Sequence, residues 1–215
     1  MQRFALERAE IVHAPRYNVA PTQQVAVVFN DSPKTLSAAR WGLIPAWSRS
    51  APSSNPLINA RAETLLEKPS FRGLLKNRRC WVLCDGFYEW RKNPDGTTTP
   101  YRATLSDGAV FALAGLWDEW ISPDGGALRT CTVVTTEANE TLAPLHHRMA
   151  VILARAYETN WLMETDSKKL LALLKPYPAD ETRAYPVSKL VNSVSRNVPE
   201  LIAPVEVEPH QASLF

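Results

Sequence analysis

The chain has 215 residues, 24 Lys and Arg against 22 Asp and Glu, a net charge of +2, 45% hydrophobic residues and 21% charged ones. Those values suit one soluble globular domain with a sizeable core; no apolar run approaches a membrane span, and the composition is not that of a disordered chain. The charge is too small to demand a polyanionic partner, although a groove can still be locally basic.

In chain order, the opening "MQRFALERAEIV" lacks the long apolar core of a signal peptide. "VAVVF" (25–29), "RCWVLC" (79–84), "VFALAGLW" (110–117) and "RTCTVVT" (129–135) are short, apolar and rich in β-formers, and read as strands. Residues 63–77 read as helical, with Pro69 as a break. "DGFYEW" (85–90) reads as a turn leading into a strand. "NPDG" (93–96) and "SPDGG" (122–126) are turn sequences between strand-like runs, since Pro presets φ and Gly tolerates positive φ, so two antiparallel hairpins are expected. Residues 137–142, 154–163 and 166–174 look helical, the last with Asp166 as N-cap. Strands and helices do not alternate as βαβ units would. The expected fold is therefore α+β: a single domain over residues 1–204, with a curved, mainly antiparallel sheet or barrel flanked by helices. From Val205 to Phe215 the chain reads as a mobile tail.

Several stretches set polar groups beside residues that should be buried. Glu89, between Tyr88 and Trp90, shares a strand face with Phe87. Two readings stand for it: a carboxyl whose pKa is raised by apolar surroundings, suited to a general acid, or a Glu on the wet face of an edge strand, which from this segment alone is the plainer one. Asn59 and Arg61 of "INAR" share a face if extended; they suit orienting a carbonyl or hydroxyl and gripping a phosphate, or equally a turn-stabilising amide and a surface cation. Trp41 and Trp47 are stacking surfaces for bases or part of the core. Cys80, Cys84 and Cys131 form an odd set without a disulfide framework, read as buried small hydrophobes in a cytosolic chain. A zinc site with His146 or His147 lacks ligand spacing, so no metal and no cofactor is expected. In "PLHHRM" (144–149) the paired histidines are either a catalytic group or surface polarity.

Taken in order, "RYNVAPTQ", "RWGLIPAW", "LINARAET", "RRCWVLCDGFYEW", "VVTTEAN", "PLHHRM" and "YPVSKLVN" cover nearly all of residues 3–194 and resemble the SOS-response-associated peptidase (SRAP) family. That resemblance implies an α+β domain on a curved antiparallel sheet that senses abasic sites in single-stranded DNA. The family's chemistry is covalent capture of the ring-opened sugar aldehyde. An N-terminal cysteine, exposed once the first Met is removed, gives a Schiff base and then a thiazolidine; lyase and peptidase activities accompany the family. Carried over by motif, Asn59 becomes the orienting amide, Glu89 the acid/base carboxyl and His146 the catalytic imidazole. Arg3 and Arg61 become phosphate or abasic-site contacts, Asn18 part of the pocket loop, and Thr135, Trp41 and Trp47 pocket or DNA-channel residues.

The chain departs from the family at its opening. Gln2 stands where Cys and Gly are expected, so the thiol nucleophile is missing. Gln is also larger than the side chains that permit removal of a first Met. Ala150 stands where Pro is usual. The readings carried forward are an abasic-site DNA-repair enzyme whose durable crosslinking is in question, and a non-catalytic single-stranded or junction DNA-binding module. The final "QASLF" resembles the peptide by which bacterial repair proteins dock on the sliding clamp, with Gln211 at the rim and Leu214 and Phe215 as anchors. A monomer in the cytoplasm, associated with the nucleoid, is expected.

Overall fold

The strands that read as nearly continuous apolar runs do so because both their faces are covered. The computed structural model describes residues 1–11, 14–50 and 56–206; the clamp residues Gln211, Leu214 and Phe215 lie outside the described residues. Strand β1 (Arg8–Ala9) is followed by β2 (Gln24–Phe29), β3 (Thr35–Trp41), β4 (Asn59–Arg61), β5 (Arg79–Cys84), β6 (Phe87–Lys92), β7 (Thr98–Leu105), β8 (Phe111–Ile121), β9 (Ala127–Glu137), β10 (Arg148–Ala150) and β11 (Thr182–Pro186). Strands β3, β2, β5, β8 and β9 lie side by side in antiparallel pairs. Strand β9 then pairs back onto β3 in parallel, Arg40 opposite Thr130 and Trp41 opposite Cys131, and the path closes into a barrel.

Alternation assigns the two faces. Val27, Phe29, Cys80, Val82, Leu113, Trp117, Cys131 and Val133 belong to one buried cluster. Val28, Trp81, Ala112, Ala114, Leu116 and Val134 belong to another, with Leu75, Trp161 and Leu170 from the helices. Gly115 of β8 lies opposite Cys80 of β5: a Cβ there would sit 2.7 Å from Cys80 Sγ and 3.1 Å from Val82 Cγ2. The turn at 93–96 joins β6 to β7 and that at 122–126 joins β8 to β9, as antiparallel hairpins. With β11 the first hairpin makes a second, three-stranded sheet. The fold is the expected α+β one and mainly antiparallel, with parallel pairings of β1 to β3, β3 to β9 and β4 to β9.

The helices are short: α1 (Pro69–Arg72), α2 (Leu74–Asn77), α3 (Glu158–Met163) and α4 (Ser167–Ala172). Asp166 caps α4, accepting from Lys168 N at 2.8 Å, as its sequence predicts. Two expectations are corrected. The run 63–77 is interrupted twice rather than once: the 3-10 turn Ala62–Thr64 ends before Pro69, the expected break, which begins α1 where its missing N–H is harmless, and Gly73 separates α1 from α2. Residues 137–142 form no helix. Glu137 ends β9, and Asn139 then organises a tight turn, its side chain accepting from Leu142 N at 3.0 Å and donating to Tyr177 O at 2.8 Å. The turn runs on past Pro144, with Leu145 N and His146 N both donating to Leu142 O.

Arg79, 2% exposed, ties the helices to the barrel. Its Nε donates to Trp161 O, Nη1 to Leu75 O and Lys76 O, and Nη2 to Leu162 O and Glu164 O, at 2.6–2.9 Å. All five N–H groups are thereby used on carbonyls at the ends of α2 and α3.

Candidate functional site

The chain's first residues fold onto the body as a 3-10 turn, Gln2–Phe4. Met1 O accepts from Phe4 N at 3.2 Å and Leu6 N at 3.1 Å, and Ala5 closes the turn at a φ of 50°. Arg3 anchors it: both terminal nitrogens reach the Glu158 carboxylate, at 2.9 and 2.7 Å, and its guanidinium lies over the Phe4 ring. This places Met1 at a cleft of about 1400 Å³.

The same cleft is lined by Asn59 and Arg61 from β4, Glu89 from β6, Thr135 from β9, and His146, His147 and Arg148 from the segment entering β10. Residues that the sequence scatters are therefore on one wall system with the amino end. Asn59 and Arg61 are at the two ends of a three-residue strand whose middle residue, Ala60, is fully buried, so both side chains point away from the core. Among the described residues, no hydrogen-bond partner lies within reach of the Asn59 amide, the Arg61 guanidinium or the Glu89 carboxyl. The neighbouring polar groups are tied. Asn18 is buried and donates to Val191 O and Ser193 O, pinning the loop at one end of the cleft. Trp41 donates to Ile58 O, Trp90 to Asn192 Oδ1 and Tyr88 to Tyr17 O. Arg102 pairs with Asp85 at 2.9 Å beneath the turn that leads to Glu89.

Glu89 sits on a strand pressed between two apolar clusters: Phe87 packs edge-on to Phe111 on one side, and Tyr88 joins Val187, Val191 and Leu201 on the other. Burial pushes its carboxyl above the ordinary range, and the charge of neighbouring His146 partly offsets this. The protonated form thus persists to higher pH, as an acid catalyst needs. On His146, Nδ1 lies 3.2 Å from Arg148 N and 3.0 Å from Arg148 O, which fixes that edge of the ring. The His147 ring is 4.4 Å away, centroid to centroid. Arginines 3, 16, 61, 102 and 148 line the cleft with the carboxyls of Asp85 and Glu89; Arg3, Arg102 and Arg148 are paired with Glu158, Asp85 and Glu63, so its basic excess is small and comes from Arg16 and Arg61.

The other expected site residues are placed less centrally. Gln2 belongs to the N-terminal turn and is exposed. Arg3 lines the cleft, but Glu158 holds its guanidinium. Trp41 lines it half-buried; Trp47 is 70% exposed and is not part of its lining. Cys84 also faces the cleft, and burial pushes its thiol up to about 12, so it is a protonated thiol rather than a nucleophile. Among the described residues no cluster of His, Cys, Asp and Glu suits a metal ion, and no helix is long and apolar enough to cross a membrane. Sequence reasoning passed over Arg148, Glu63 and Arg102. The first two lie inside the motifs "PLHHRM" and "LINARAET", where two opposite charges in separate motifs were the available signal.

Residues 1–194 match the family described as SOS response associated peptidase (SRAP). The chain is 48% identical over 191 residues to the abasic site processing protein YoqW of Bacillus subtilis (strain 168), covering 87% of this chain and 85% of that protein. It is 32% identical over 231 residues to the abasic site processing protein HMCES of Gallus gallus, covering 91% of this chain and 68% of that one. A crystal structure of a protein from Bacteroides thetaiotaomicron superposes with a TM-score of 0.77 at 29% identity, over 86% of this chain and 82% of the other. A second, from Bordetella bronchiseptica, superposes at 0.76 with 29% identity over 87% of this chain and 93% of that one. The cleft lined by Asn59, Glu89, His146 and Met1 is thus set in a fold shared along nearly the whole chain, and the chain belongs to the SOS response associated peptidase (SRAP) family.

Proposed function

We propose that this chain processes abasic sites in single-stranded DNA, holding the ring-opened sugar between Asn59, Glu89 and His146. The observation that carries the reading is that, among the described residues, the side chains of Asn59, Arg61 and Glu89 line the cleft without a hydrogen-bond partner while Asn18, Trp41 and Trp90 around them are tied. Asn59 and Arg61 are exposed to the cleft and Glu89 is half-buried in its wall, so all three can meet polar groups of a ligand that enters it. Relatives named as abasic site processing proteins support the choice of ligand.

In this reading Arg61 grips a phosphate next to the lesion and Asn59 orients the sugar hydroxyl or aldehyde. An amine adds to the aldehyde carbon, the carbinolamine oxygen takes a proton from Glu89 and leaves as water, and the proton shed by nitrogen passes to His146. Met1 lines the cleft, which puts an amine there for this step. A thiazolidine needs the amine and the thiol of one and the same N-terminal cysteine. Neither Met1 nor Gln2 carries a thiol, so the product of this step is a reversible imine.

The test is a labelled single-stranded oligonucleotide with one abasic site, incubated with and without sodium borohydride and resolved under denaturing conditions. The expected result is a protein–DNA band that requires borohydride, or shortened DNA, and that disappears with Glu89→Gln. A missing adduct with uncut DNA overturns the reading. The absent thiol favours a second reading, a binding module without chemistry, for which salt-sensitive retention of the strand with no product is the expected outcome.

A further inference from the structure

We propose that the Glu63–Arg148 ion pair is a strut between the two banks of the cleft, and that Glu63 is a positioning residue for His146. The proposal rests on the abasic-site reading above. Arg148 follows His146 by two positions, and its backbone N and O both meet His146 Nδ1. Wherever the Arg148 backbone is held, the imidazole is held with it. The guanidinium reaches across the cleft wall in the other direction. Nη1 and Nη2 donate to Glu63 Oε1 and Oε2 at 3.0 and 2.9 Å, and Nη2 also lies 2.6 Å from Thr135 O and 3.3 Å from Thr135 Oγ1.

Those partners belong to the bank that carries Asn59 and Arg61. Glu63 lies in the 3-10 turn Ala62–Thr64, directly after β4, and Thr135 is the β9 residue paired with Arg61 on one side and Ala150 on the other. One side chain therefore couples His146, β10, β9 and the end of β4. The pair is buried on one side only: the Glu63 side chain is 50% exposed, but the Arg148 side chain is 15% exposed, the contact is bidentate, and the Arg148 Nε is buried with no hydrogen-bond partner among the described residues. Its position thus depends on Glu63 and Thr135, the geometry in which an ion pair holds a fixed arrangement. The bond from Arg148 also keeps the Glu63 carboxyl below its ordinary range, so it stays charged.

The strut makes a prediction opposite in sign to plain electrostatics. Removing a carboxylate beside a basic DNA cleft weakens repulsion, so Glu63→Gln should bind DNA as well as the parent or better. If Glu63 sets the position of the imidazole, the same substitution slows the chemistry, because a small misplacement of a proton-transfer group costs rate rather than affinity.

Affinity is measured by anisotropy with a tetrahydrofuran abasic analogue, which has no aldehyde, and the chemical step by single-turnover formation of the borohydride-trapped adduct. For Glu63→Gln the expected result is unchanged or tighter binding with a rate lower by roughly tenfold or more, and substantial recovery in Glu63→Asp. Arg148→Lys, which keeps the cation but not the bidentate bridge, is expected to lose rate similarly and serves if Glu63→Gln does not fold. An adduct rate equal to the parent's, or a rate loss that merely follows weaker binding, overturns the strut. A parent that forms no adduct overturns the functional reading instead. The strut is then decided without reaction, by the ¹H–¹³C signals of the His146 imidazole: a shift in Glu63→Gln supports it and unchanged signals overturn it.

Discussion

Glu89 is a carboxyl kept where a carboxylate is unwelcome, between Phe87 with its Phe111 contact and the Tyr88 cluster. Its raised pKa has a consequence for stability as well as chemistry. The native state holds the Glu89 proton over a pH range in which the unfolded chain has released it. Folding is therefore favoured below the ordinary glutamate pKa, and that contribution is lost as pH rises through the raised value. Glu89→Gln removes the penalty. It is expected to raise Tm at about pH 8, with the gain vanishing near pH 4, while lowering adduct formation by roughly 10²- to 10⁴-fold. Calorimetry across pH, alongside the trapping assay, checks both; a Tm unchanged at every pH removes Glu89 from this account. At this scale the sequence was informative about Asn59, Arg61 and Glu89, because strand alternation alone states which side each residue takes. It was silent on what holds a group still. The partners of Arg3 and Arg148 lie 155 and 85 residues away in the chain, and no local pattern encodes such distances.

Among the elements, β5 carries the most information in the fewest residues. Its first residue, Arg79, ends two helices at once through five carbonyls, and its next, Cys80, lies against Gly115. Burial lowers the Arg79 pKa, yet an arginine remains charged at any physiological pH, so the group needs every acceptor it has. Arg79→Met strands those carbonyls and is expected to cost about 3–5 kcal/mol, while Arg79→Lys, with three donors, recovers part of it. Denaturant midpoints measure the difference, and a Met variant as stable as the parent would contradict the double-cap role. The hairpins were legible because Pro, Asp and Gly act locally in a turn. Residues 137–142 misled for a physical reason: the run has helical composition, but Asn139 is committed to Tyr177 and Thr182, so tertiary bonds replace the helix.

For the whole molecule, the cleft exists because the barrel brings distant segments to one end. Its interior leaves little tolerance. A methyl added at Gly115 meets Cys80 Sγ at 2.7 Å and Cys80 O at 3.3 Å. Gly115→Ala is expected to lose about 1–3 kcal/mol, and Cys80→Ala in the same chain to restore part of it by making room. Urea unfolding of the two single variants and the double variant tests this; strictly additive losses would show that the contact is not the cause. The apolar alternation that reports two covered faces could not report the parallel contact of β3 with β9, which joins residues 40–41 to residues 130–131. That contact has a consequence of its own. A ring of strands offers no bare edge along its circumference, so a neighbouring chain finds no ladder there to extend. Its central amides should open to solvent together, and only when the whole ring comes apart, leaving the N-terminal turn and the cleft loops free to exchange their hydrogens far sooner.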